Sequence, residues 1–95
     1  MISTASVRTA NGARYLVQLC KHWAHRLTVE YTDTTGKVAF DAERSCSFQA
    51  NAESLTVRIE APEAALARTE EVVAEHLQRF ARQETLLPIN WGHAP

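Results

Sequence analysis

The stretch SCSFQANAESLTVRIEAPEAAL, residues 45–66, holds the change of period that decides the fold class. Cys46, Phe48 and Ala50 alternate with Ser47 and Gln49, and Leu55, Val57 and Ile59 alternate with Thr56 and Arg58. Successive side chains of a strand point to opposite faces, so each run predicts a strand with one apolar face. The four residues Asn51 to Ser54 between them are turn-like, which makes the pair an antiparallel hairpin. At Pro62 the period changes, because proline suits a first helical position, and the spacing predicts a long helix to about Arg82. Its expected buried stripe is Leu66, Thr69, Val73, His76, Leu77 and Phe80.

Moving toward the N-terminus, two more alternating runs appear. Leu27, Val29 and Tyr31 alternate with Thr28 and Glu30, and Val38 and Phe40 flank Ala39. The turns DTTG (33–36) and DAER (41–44) are short, so the four runs predict an antiparallel meander. Ile2 to Thr9 reads as a first strand, and Asn11 and Gly12 break it, with Asn11 placed to cap the helix that follows. Leu16, Leu19, Cys20 and Trp23 form the buried stripe of that helix at i, i+3, i+4 and i+7. The fold class is therefore α+β in the order β-α-β-β-β-β-α, an antiparallel sheet with two helices on one face.

The chain reads as one domain, residues 1–95, with residues 82–95 as an apolar tail in extended form. Thr85, Leu87, Ile89 and Trp91 alternate there, while Pro88 lacks a backbone donor and confines any strand to an edge. Leu87, Ile89 and Trp91 are expected to pack on the domain or on a twin subunit, which would make the protein a homodimer. The order matches a TATA-binding-protein-like architecture, but the open face of the sheet carries Thr28, Glu30, Lys37, Asp41, Ser47, Gln49, Thr56 and Arg58. That face lacks the basic and wedge residues of a DNA-binding sheet.

Ninety-five residues with 45% hydrophobic and 22% charged side chains are ordinary globular values. Ten basic and eleven acidic residues give a formal charge of −1, too weak a field to gather nucleic acid or anionic lipid. No stretch approaches the roughly 20 apolar residues that span a bilayer, and the first residues carry no signal-peptide pattern. Two cysteines, Cys20 and Cys46, are too few for a disulfide framework. A reduced, cytoplasmic protein is expected.

The chemistry-bearing residues crowd into CKHWAHR, residues 20–26. At about 100° per residue, His22 lies far around the helix from Cys20, so the two cannot share an ion on a regular helix. His22 and His25 are i, i+3 neighbours, close enough to share a partner. Lys21, His22, His25 and Arg26 also suit the negative end of the helix dipole. Trp23 is expected as a core anchor and both thiols as inert buried groups. His76 falls on the apolar stripe of the last helix and is expected to face the sheet. Glu63, Glu70, Glu71 and Glu75 read as that helix's solvated face. Phosphate loops, G-x-S-x-G and H-E-x-x-H are absent, and no acid and base are paired in a way that suggests catalysis, nor is a cofactor indicated. The candidate ligand-binding residues are His22, Trp23, His25 and His76.

Across ARYLVQLCKHWAHR, VVAEHLQRFA and the closing INW, the chain resembles the bacterial domain-of-unknown-function family numbered 2218. The likeness runs from about Ala5 to Trp91, with the C-K-H-aromatic-x-H core at Cys20 to His25 as its most distinctive part. Members have no assigned activity; related copies appended to siderophore-interacting flavin reductases imply a link to iron use. The expectation is a non-enzymatic binding or accessory module with an unknown protein partner or small ligand. The alternative is a small-ligand or metal-binding module using His22, His25 and His76.

Overall fold

Each apolar run predicted as a strand pairs antiparallel with its neighbours, although Leu27 and Phe40 fall just outside the strands, and Thr35 and Gly36 of the expected DTTG turn already lie in one. In the computed structural model, which describes residues 1–95, the order is β1 (Ile2–Arg8), α1 (Gly12–Trp23), β2 (Thr28–Tyr31), β3 (Thr35–Ala39), β4 (Ser45–Ala50), β5 (Ser54–Glu60), α2 (Glu63–Phe80) and β6 (Gly92–Ala94). The sheet order is β2-β3-β4-β5-β1-β6. The expected α+β arrangement holds, with one strand more than the reading of the chain supplied: β6 adds to the outer edge of β1, pairing Ile2 with Ala94 and Ser3 with His93. No helix is long and apolar enough to cross a membrane.

The three meander turns share one device. Thr32 Oγ1 accepts the amides of Thr34 and Thr35, Asp41 Oδ1 those of Glu43 and Arg44, and Asn51 Oδ1 those of Glu53 and Ser54. A side-chain oxygen that captures amides two and three residues on holds the backbone in a turn at little entropic cost. Register then follows, and it sets Cys46 opposite Ile59 and Phe48 opposite Val57 on the buried face.

The helices cover that face. Tyr15, Leu16, Leu19, Cys20 and Trp23 of α1, with Leu66, Val73 and Leu77 of α2, meet Val38, Cys46, Phe48, Leu55, Val57 and Ile59 in one core. Two glycines permit the approach. A Cβ on Gly12 would lie 3.1 Å from Leu55 Cβ, and one on Gly36 only 2.7 Å from Cys20 Sγ.

Several local expectations need correction. Asn11 makes no side-chain cap; its amide instead donates to Thr9 Oγ1 and its side chain to Glu84. Helix α1 stops at Trp23, so His25 and Arg26 lie beyond its last turn. In the tail Leu87 is 40% exposed, whereas Leu86, Ile89 and Trp91 pack against the core. The reason is the turn after α2, where Gln78 donates to the carbonyls of Ala81 and Glu84 and accepts the amide of Leu86. That clamp sets which leucine faces inward.

Candidate binding site at the helix seam

Helix α1 presents His22 and Trp23 in its last turn, and α2 presents His76 and Phe80 one turn apart on the side that meets α1. The His22 and His76 ring centroids are 5.5 Å apart with planes tilted by 48°. Trp23 lies 5.2 Å from His76, and Phe80 meets His22 edge-on at 5.8 Å. Trp23 also packs edge-to-face on Phe40 at 5.2 Å and stacks on Phe48 at 6.4 Å, so the buried indole carries the cluster down to the sheet. Aromatic contacts of this kind add to area burial by about 0.5–1.5 kcal/mol each. His22 is exposed and His76 half-buried.

His76 therefore does not face the sheet, as its place on the stripe suggested; it faces the end of α1. Its Nδ1 lies 2.7 Å from the carbonyl oxygen of Val72. A carbonyl only accepts, so Nδ1 carries the proton and Nε2 keeps its lone pair in the neutral ring. Fixing one ring nitrogen on a backbone carbonyl is how ligating histidines are oriented. His25 does not join this stack. It lines, with His22, Trp23, Arg26 and Leu27, an open cleft of about 400 Å³ beside it.

Two imidazoles at this separation are of the right order to share a tetrahedral ion, whose Zn–N bonds are about 2.0–2.1 Å. No group of three His, Cys, Asp or Glu side chains gathers around a common point, so an ion held here takes its remaining ligands from elsewhere. Neither thiol contributes. Burial pushes Cys20 up to about 11, and Cys46 rises well above the usual thiol value through burial and then through the neighbouring Cys20. Both are free and buried.

Two polar clusters were not visible in the sequence. Glu84 accepts from Thr9 Oγ1 at 2.9 Å, from Asn11 Nδ2 at 3.1 Å and from the Tyr15 hydroxyl. Glu70, expected on the solvated face, accepts from Ser3 Oγ at 2.5 Å and lies 2.6 Å from His93 Nε2. In a serine-histidine-acid triad the imidazole stands between hydroxyl and carboxylate. Here the carboxylate stands between, so Ser3 has no base and the cluster ties β1 and β6 to α2. Partners 23 to 75 residues apart in the chain leave no local spacing to read.

The sequence profile of a family described as an uncharacterized protein conserved in bacteria (DUF2218) matches residues 4–92. An NMR structure of PA4090 from Pseudomonas aeruginosa is 39% identical, covers 98% of this chain and 96% of its own, and superposes with a TM-score of 0.81. No curated protein gives a significant match.

Proposed function

The chain belongs to the bacterial DUF2218 family, and we propose that it serves as a non-enzymatic binding or accessory module whose working surface is the imidazole and aromatic face formed by His22, Trp23 and His76, with His25 beside it. One observation carries this reading: a half-buried histidine spends Nδ1 on the Val72 carbonyl and keeps Nε2 free next to a second, exposed imidazole. Such an arrangement is suited to receiving a donor or a metal ion rather than to moving a proton between paired groups. The carboxylates that could have acted as bases, Glu70 and Glu84, are already engaged. A protein of this kind acts by presenting a ligand to a partner or by docking on one.

The free Nε2 of His76 beside the His22 ring suits a transition metal as the ligand, and the iron use that the sequence resemblance implied makes ferrous iron the first to try, ahead of zinc and nickel, which imidazole also suits. The test is a two-dimensional NMR titration of chelator-treated protein with ferrous and zinc ions under anaerobic conditions, and with ferric citrate. Saturable changes confined to His22, Trp23, His76 and Phe80, lost in a His22→Ala, His76→Ala double variant, are expected. If none of the three probes perturbs these residues, the seam is packing and this reading fails.

A further inference from the structure

A second cleft opens along the same pair of helices, away from the imidazoles. Arg14 and Gln18 of α1, Phe80 at the end of α2, and Arg82 and Gln83 just beyond it line a space of about 450 Å³. Arg14, Gln18 and His22 stand at i, i+4 and i+8, one ridge of α1, so the cleft continues the imidazole site along the seam with Phe80 as the shared wall.

Its lining is rich in donors. Neither Arg14 nor Arg82 forms an ion pair; the salt bridges of the protein are Asp41–Arg44, Arg58–Glu60, Arg68–Glu71 and His93–Glu70. The carboxylate nearest in the chain, Glu84, accepts from Thr9, Asn11 and Tyr15. Its charge still acts on Arg14, and it is one carboxylate against two guanidiniums. Arg14 lies over the Tyr15 ring at 5.5 Å and donates toward the Tyr15 hydroxyl, which steadies the side chain while leaving the rest of its five N–H donors for a ligand.

We propose that this cleft binds a small aryl carboxylate. Two guanidiniums offer paired N–H donors that match the two oxygens of a carboxylate, a geometry a lysine cannot copy. The carboxamides of Gln18 and Gln83 supply further donors, and the half-buried Phe80 ring offers a face to a flat apolar frame. The volume falls within the range of about 300–1,000 Å³ usual for small-ligand clefts. Because the site uses arginines rather than imidazoles, it stands or falls apart from the metal reading.

The experiment titrates the full chain, at constant ionic strength, with benzoate, phenyl phosphate and inorganic phosphate, followed by NMR. Benzoate should give saturable shifts at Phe80 and at the side-chain amides of Gln18 and Gln83. Arg14→Ala and Arg82→Ala should each weaken it at least tenfold, Arg→Lys variants less, with unchanged melting temperatures confirming the fold. Lys37→Ala, a loss of the same charge on the open face of the sheet, should alter benzoate binding by less than twofold. Phenyl phosphate should bind no tighter than benzoate, and inorganic phosphate far more weakly than either. Non-saturating shifts, unchanged binding in both arginine variants, loss of binding in Lys37→Ala, or inorganic phosphate binding as well as benzoate would each overturn the proposal.

Discussion

The Tyr15 hydroxyl on α1 donates to Glu84, four residues beyond the end of α2, and so ties the helices together roughly two turns before His22. The same carboxylate holds Thr9 at the end of β1 and Asn11 before α1. Replacing Glu84 with Ala leaves three donors without an acceptor. Hydrogen bonds to a charged group are worth about 1.5–3 kcal/mol, and partial exposure here puts the expected loss near 2 kcal/mol. For a domain of this size that is a fall of about 8–16 °C in Tm. Thermal melts of Glu84→Ala beside the native chain check this, and a fall of under 3 °C would contradict it.

Acid should expose the same contact. Donation from Tyr15 first, then from Asn11 and Thr9, with Arg14 near, holds the Glu84 carboxyl below the usual glutamate range against the opposing effect of burial. The folded state thus binds this proton less tightly than the unfolded chain. Its stabilising contribution is complete above the ordinary value of about 4.3 and is lost as pH falls through the lower folded value. Between about pH 4.5 and pH 2 the native protein should lose stability more steeply than Glu84→Gln, and parallel curves would refute the assignment.

At the other end of the pH scale the buried thiol reports. Burial raises Cys20 to about 11, so the folded state holds this proton more tightly than the unfolded state. Stability from this source is full below the ordinary thiol value of about 8.5 and declines as pH rises toward 11. A disulfide reagent at pH 8 should therefore label neither cysteine in native protein and both after unfolding. Rapid labelling of one thiol under native conditions would show an opening that the packing does not provide.

Gly36 tests the packing around that thiol. A Cβ there would come within 2.7 Å of Cys20 Sγ, a short side chain enclosed on all sides, so Gly36→Ala should cost about 1–3 kcal/mol. Cys20→Ala in the same chain removes the opposing sulfur and should recover part of that loss. A double-mutant cycle in urea measures the coupling, and strict additivity would mean that the contact is not made.

Adjacent leucines distinguish the inner from the outer side of the tail. Leu86 packs against the core while Leu87 is 40% exposed. Leu86→Ala should cost about 1 kcal/mol and Leu87→Ala less than about 0.5 kcal/mol. Equal effects would mean that the clamp from Gln78 does not set the phase of this segment.

The contrast between these leucines also marks where local pattern stops carrying information. The five longer strands were legible because a sheet with one buried face imposes alternation, as Leu55, Val57 and Ile59 show. Strand β6 had no such mark: Gly92, His93 and Ala94 are all exposed, and they are extended because β1 offers an unpaired edge. A helical stripe identified His76 as inward-leaning but could not say that α1, rather than the sheet, lies opposite. His22 and His25 looked like partners by spacing, yet the helix ends between them and the ring beside His22 belongs to α2. Glu84 and Glu70 were unreadable for the same reason, since their partners lie far beyond any local spacing, most of them at the other end of the chain.

Ile2 sits directly opposite Ala94, and in an antiparallel pair such residues have Cα atoms about 4.5–5.5 Å apart. The polypeptide is in this respect almost a ring. A linker of a few residues from Pro95 back to Met1, with the backbone cut at Ala52 in the exposed β4–β5 turn, would yield a circular permutant that keeps every strand neighbour. Its new ends would emerge at the opposite end of β5 from the old ones, which places a fused reporter far from β6.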